Sequence, residues 1–502
     1  MNIRKIACSV LIITILLAGN IANAIQEEHD EDELLLNPPV EVKDGTELNI
    51  IDCISLAFKN SPKIKRKKYE LDIAKSNVGI AKSQYFPTLG AGVGFNYERN
   101  SDSIYYDKRY RDLPYVGVSL NQLIFNFGKT TAYIKMEEFN KIAAEYEFMD
   151  SLCYTLFDIK AKYYNLLRAK ALLNVAKNNV KLNEKIVKIS EKREKPDYTT
   201  ALVNLSEAKI QYIEAENTYN NAKYDLSNAM YIDFQPNYDI KNTPTFTYND
   251  DYAYGSVQKV ETKPFQPYVF PFKMSDATEI AYKSSPDLQV LINTKKAMEE
   301  SLKYVKRTYL PDLTADVGYG YNNTNFTHNN SLRVGVNLTT NVNLMELRHS
   351  IKGADAQVAL AENEISLFKK DLYYELQRAF NNVERAKKQV PTTIAEVEEA
   401  LDNLATVEKE YISRELDYNA LQTAREDYMI ALRRYVECIY NYNIALIQVE
   451  MAMHYHLVDI HHKSEHAMHY HSSELIEHLN KALECNEKEE HHKTKRQKNK
   501  KK

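Results

Sequence analysis

Gln84–Tyr97 reads QYFPTLGAGVGFNY, and 224 residues later Thr308–Tyr321 reads TYLPDLTADVGYGY. In each, a proline opens a stretch whose side chains alternate in character. Leu89, Ala91, Val93, Phe95 and Tyr97 share one face of an extended chain, and Thr88, Gly90, Gly92, Gly94, Asn96 and Glu98 share the other. In the twin, Leu313, Ala315, Val317, Tyr319 and Tyr321 stand opposite Asp312, Thr314, Asp316, Gly318 and Gly320. Two further segments alternate in the same way. Val116, Val118, Leu120 and Ile124 oppose Gly117, Ser119 and Asn121; Leu332, Val334, Val336, Leu338 and Val342 oppose Arg333, Gly335, Asn337, Thr339 and Asn341. The expected strands are 88–98, 115–125, 312–322 and 331–343. Segments of about ten residues, apolar on one face and small or polar on the other, match strands that face lipid outward and a lumen inward. A half-buried soluble hairpin has the same alternation.

Working outward, the twins belong to a larger duplication. Pro62 pairs with Pro286, Pro87 with Pro311 and Gly94 with Gly318, all at the same offset, and VGVSL (Val116–Leu120) recurs as VGVNL (Val334–Leu338). The expected repeats are 48–234 and 274–458, each running helix, strand, strand, long helix, break, long helix. Between Lys129 and Lys195 there is neither glycine nor proline, and none follows Pro391. Such runs exceed ordinary globular helices and suit coiled-coil packing. Pro196 is expected to end the first run, and Pro391 to kink or divide its helix. A Tyr- and Pro-rich connector, 235–273, separates the repeats.

The ends bound the setting. Arg4 and Lys5, the apolar run Ile6–Ala18, and Ala22-Asn23-Ala24 form a signal-peptide pattern over 1–24, followed by an acidic extension over 25–47. No later run is long and apolar enough for a membrane helix. Four cysteines would remain, Cys53, Cys153, Cys438 and Cys485, without disulfide-framework spacing; buried thiols are expected. A formal net charge of −4 gives no footing for nucleic acid. No H-E-x-x-H, P-loop or nucleophile elbow occurs, so an enzyme is not expected. Four strands cannot enclose a water channel, and an open sheet edge in lipid strands its backbone groups. Several copies must therefore pool strands.

The last segment, 459–502, departs from this plan. Ten of the 13 histidines lie beyond residue 450, and AMHYH occurs at both Ala452–His456 and Ala467–His471. His454, His456, His462, His466, His469 and His471 are candidate metal ligands of a kind suited to Zn, Cu or Ni. His462 and His466 have helical same-face spacing, whereas the two HYH units suit extended chain. A basic terminus, KTKRQKNKKK, follows.

The paired NSP and SSP helix starts, the two Y-x-P-x-L strand entries, LIFNFGK (Leu123–Lys129), and the helices Asn204–Leu226 and Asn419–Tyr435 together resemble the TolC family of outer-membrane efflux proteins. The resemblance covers the chain from the first repeat to about Val458. It implies a mainly helical fold with membrane β-structure: a homotrimer with a twelve-stranded barrel in the outer membrane of a Gram-negative bacterium, and a long periplasmic helical tunnel. The connector would join an equatorial band. Outer-membrane lipid, a periplasmic adaptor and an inner-membrane transporter are the implied partners, and drugs or secreted proteins the implied cargo. The family often carries two acidic residues near the tunnel entrance. Here Asn419 and Gln422 occupy those positions, with Glu415 and Asp417 just before them. Pro196, Asp197, Tyr198, Arg414 and Tyr418 mark the implied adaptor-docking tips. A periplasmic coiled-coil adaptor or scaffold is the rival reading.

Overall fold

The computed structural model describes residues 42, 45–99, 110–192, 195–232, 238–241, 273–324, 327–457 and 469–471. The signal pattern, the greater part of the acidic extension, Cys485, His462, His466 and the basic terminus lie outside them. In chain order the elements are β1 (Glu47–Leu48), α1 (Ile50–Asn60), α2 (Pro62–Ser83), β2 (Thr88–Arg99), β3 (Tyr110–Phe125), α3 (Lys129–Ser190), α4 (Lys195–Ala229) and β4 (Asp239–Ile240). The second half continues with α5 (Met274–Ser284), α6 (Pro286–Arg307), β5 (Asp312–Thr324), β6 (Thr327–Thr339), α7 (Leu344–Ser413), α8 (Tyr418–Met453), β7 (Tyr455–Leu457) and β8 (His469–His471).

The NSP and SSP motifs are helix punctuation. Ser61 and Ser285 each end one helix and cap the next, accepting from Ile64 N and Leu288 N, with proline in the first turn where its missing N–H costs nothing. The long helices α3 (62 residues) and α7 (70 residues) reach about 90–105 Å at 1.5 Å per residue. Among the described residues no helix is long and apolar enough to cross a membrane.

Pro196 does not terminate α3. That helix stops at Ser190, and Pro196 sits in the first turn of α4, where its fixed φ is already helical. Helix α7 runs through Pro391 without division. The second break, without glycine, is made by Arg414 in the left-handed region (φ 71°) and by Asp417, whose carboxylate caps α8 by accepting from Ala420 N at 3.0 Å.

The four long strands form one antiparallel sheet in the order β2-β3-β5-β6. Three bounds differ from expectation. β3 begins at Tyr110, so Phe95 pairs with Pro114 inside the ladder. β6 spans Thr327–Thr339, and Thr340–Val342 are irregular before Asn343 caps α7. The segment between the expected third and fourth strands, Asn322–Asn330, is paired out to Thr324 and Thr327. Ile124 is an extra residue in β3; this bulge brings Phe125 opposite Leu313, onto the apolar face.

Register lines like residues into rows across the sheet. Leu89, Leu120, Val317 and Val334 form one row of the apolar face, and Ala91, Val118, Tyr319 and Leu332 the next. The other face carries Thr88, Asn121, Asp316 and Gly335, then Gly90, Ser119, Gly318 and Arg333, then Gly92, Gly117, Gly320 and Ser331. The apolar face is bare in the single chain: Leu89 is 69% and Val334 71% exposed.

The packed core lies among the helices instead, where α1, α3, α4, α7 and α8 bury Leu166, Leu226, Val397, Tyr428 and Val449. Cys53, Cys153 and Cys438 are buried thiols, and burial pushes the Cys53 thiol up to about 12. β1 pairs in parallel with β4. From the connector only 238–241 is described; there Tyr238 is buried, and Tyr163 donates to Lys241 O at 2.6 Å.

Candidate functional site

The breaks between α3 and α4 and between α7 and α8 meet at one end of the helical body, and polar side chains join them. The Tyr411 hydroxyl donates to Asp197 Oδ2 at 3.1 Å and lies 3.3 Å from Ser190 Oγ. Asn204 Nδ2 donates to the Tyr418 hydroxyl at 2.9 Å. The two tyrosine rings meet edge to face, 6.1 Å between centroids. Tyr411 and Tyr418 are buried, and burial raises the Tyr418 phenol above its ordinary range. Tyr418 therefore stays neutral at neutral pH, and both hydroxyls work as hydrogen-bonding ties. They lie seven residues apart, two turns of continuous helix, yet the break between them folds both rings inward against Ser190, Asp197 and Asn204.

Farther along α8 lies a second polar layer, in which Arg425, Asn183 and Asn179 are buried. Arg425 donates to Asn183 Oδ1 across to α3 and pairs with Glu426 at 3.3 Å. Asn183 donates to Asn179 O, Asn179 to Gln211 of α4, and Arg433 to the same Gln211 oxygen at 2.8 Å. Arg425 Nε is buried without a hydrogen-bond partner. A buried cation with incomplete partners is costly. Lys185 and Glu408, 2.5 Å apart, add a tie from α3 to α7.

The residues singled out from sequence divide into three groups here. Glu415, Asp417 and Asn419 are exposed around the break, and Gln422 is half-buried, donating to Glu426 Oε1 at 3.0 Å. Pro196 and Arg414 are exposed, whereas Asp197 and Tyr198 are half-buried and Tyr418 points into the body. Sequence reasoning missed Tyr411, Asn204, Asn183, Arg425 and Glu426. The available signal was polar residues at core spacing on helices that otherwise bury leucine, alanine and tyrosine.

The histidine-rich segment is described only in part. His454 ends α8 in the left-handed region (φ 47°), and burial lowers its imidazole to about 4. The two AMHYH copies meet: β7 and β8 pair antiparallel, with Tyr455 opposite His471, His456 opposite Tyr470 and Leu457 opposite His469.

At the opposite end, where helices turn into strands, the repeats are clasped together. Arg307 Nη1 donates to Gly128 O at 2.8 Å, and Lys129 Nζ reaches Leu310 O at 3.0 Å and Asp312 Oδ1 at 2.6 Å. Gly128 has φ 79°, and a Cβ there would stand 2.9 Å from the Arg307 guanidinium.

Residues 53–230 match a family model described as outer membrane efflux protein. The chain is 25% identical over 157 residues to the outer membrane protein TolC of Vibrio cholerae, a match covering 31% of this chain and 35% of that protein. The aligned segment thus spans about a third of that relative. In fold, the chain is similar to CusC, with a TM-score of 0.68, 12% identity, and coverage of 84% of this chain and 95% of that one. It is similar also to the Campylobacter jejuni CmeC outer membrane channel, with a TM-score of 0.67, 15% identity, and coverage of 84% and 91%. The outer membrane efflux family's pattern thus matches the first repeat, and across both repeats the chain has the fold of these channels.

Proposed function

We propose that the protein is an outer-membrane export channel, assembled from three chains that pool their strands into one twelve-stranded barrel above a helical tunnel. The observation that carries this is the four-stranded sheet. Its apolar face is bare, its two outer edges belong to strands of 12 and 13 residues, and it continues directly into helices about 100 Å long. In water such a face and such edges favour aggregation; in lipid, closure by further copies satisfies both. An adaptor with soluble hairpins gives the bare face no covering. Export would proceed with an inner-membrane transporter and a periplasmic adaptor docking near the α3–α4 and α7–α8 breaks.

Two measurements test the reading. Washed outer-membrane fractions should retain the protein, and the purified protein should open ion-conducting channels in planar bilayers. Recovery in the soluble periplasm would overturn it.

A separate proposal concerns the tail. The backbone pairing of the two HYH units sets His456, His469 and His471 on adjacent strands, and clustered imidazoles favour borderline metal ions such as Zn, Cu or Ni. Zn²⁺ titration of the purified protein should show stoichiometric binding that His469→Ala/His471→Ala abolishes. Binding unchanged in that variant would refute the site.

A further inference from the structure

Arg333 is out of keeping with its row. The ladder places it beside Gly318, Ser119 and Gly90, and the row farther from the helices holds three glycines and a serine. Ser119 and Asp316 lean over their glycine neighbours: a Cβ at Gly90 would meet Ser119 Oγ at 2.8 Å, and one at Gly335 would meet Asp316 Oδ1 at 2.8 Å. Arg333 does not do this. A Cβ at Gly318 would find only Val118 O, at 3.9 Å. Among the described residues no hydrogen bond or ion pair engages the guanidinium, and the side chain is exposed. It therefore stands off the wall on the polar face, away from the apolar row of Leu332 and Val334.

The charges sharing that face are accounted for otherwise. Asp316, one row nearer the helices, accepts a hydrogen bond from Asn337 and lies against the sheet. Asp312 is paired with Lys129.

We propose that Arg333 is the residue by which the barrel lumen contacts anionic groups of the solutes it passes. The proposal rests on the channel reading: in the closed barrel three copies would form a ring of guanidinium groups on a floor of glycines. Arginine remains charged at every working pH, and its planar fork of donors fits carboxylate, phosphate or sulfate. A ring of one charge sign concentrates the opposite ion in the lumen. Short neighbours leave the ring free to reach a passing solute.

The test is the reversal potential of purified channels in a planar bilayer under a KCl gradient, for the wild type and for Arg333→Lys, Arg333→Gln and Arg333→Glu. The chloride-to-potassium permeability ratio should be little changed in the lysine variant, fall by about threefold or more in the glutamine variant, and fall further in the glutamate variant. An unchanged ratio in conducting glutamine and glutamate channels would overturn the role of Arg333. A wild type that conducts no current would instead overturn the channel reading itself.

Discussion

Arg414 takes at the α7–α8 break a left-handed conformation that glycine adopts without strain. Arg414→Gly should relieve it and stabilise the protein by roughly 0.5–1 kcal/mol, read as a raised thermal midpoint. Asp417, read from sequence as an entrance carboxylate, is occupied in capping α8; Asp417→Ala should cost about 1 kcal/mol in the same assay. Asp150 of α3 offers a pH test. Burial raises its carboxyl from 3.8 to about 6, with the nearby Asp287 adding to the shift and Lys67 opposing it. The folded state holds this proton more tightly than the unfolded state, so stability falls as pH rises from about 4 through about 6. Asp150→Asn should remove that loss, gaining about 1 kcal/mol at pH 7 after allowance for solvent screening, and should flatten the thermal midpoint between pH 4.5 and 7. None of these roles can be read from composition. A cap or a left-handed residue declares itself by backbone angles, and a raised carboxyl by neighbours distant in sequence.

Among the elements, the helices and strands are legible because their apolar periodicities differ and because the duplication gives each a second witness. Pro87 and Pro311 do stand at the helix-to-strand junctions. The ends are less legible. Proline suits a helix's first turn as well as the residue after its end, so Pro196 was consistent with either, and the structure places it at a beginning. The charged sequence Tyr110–Pro114 and the asparagine-rich Asn322–Asn330 resemble loop, yet backbone pairing runs through the first and reaches Thr324 and Thr327 in the second. The ties at the helical tip were illegible because Tyr411 and Asp197 lie 214 residues apart. Tyr411→Phe removes one hydroxyl that holds α7 to Asp197 and Ser190 while keeping the ring's packing. It should loosen that end and raise single-channel conductance, whereas an unchanged conductance would mean that the tie has no hold on the passage. Within the body, Lys160 and Glu450 form a buried pair at 2.6 Å between α3 and α8. Glu450→Ala should cost roughly 3 kcal/mol because it strands the ammonium, and replacing both partners by apolar residues should restore most of the loss.

At the scale of the whole molecule, the chain is two structures with opposite relations to solvent. The helical body buries its apolar residues within one chain, so it is satisfied alone except for outward rows such as Ile73, Ile80, Leu360 and Leu367. The sheet buries almost nothing and leaves β2 and β6 with an unpaired edge each. On the channel reading proposed above, further copies redress that imbalance, which was foreshadowed in QYFPTLGAGVGFNY by an apolar face with no core to meet. The most direct test is a cysteine cross-link between those edges. Ala91→Cys in β2 is combined in turn with Leu332→Cys, Val334→Cys or Val336→Cys in β6, and membranes are oxidised before denaturing electrophoresis. The account predicts that at least one pair yields a ladder ending at three chains, because β2 of one chain lies beside β6 of the next. Single chains alone from every pair, in membranes that retain the protein, would contradict it.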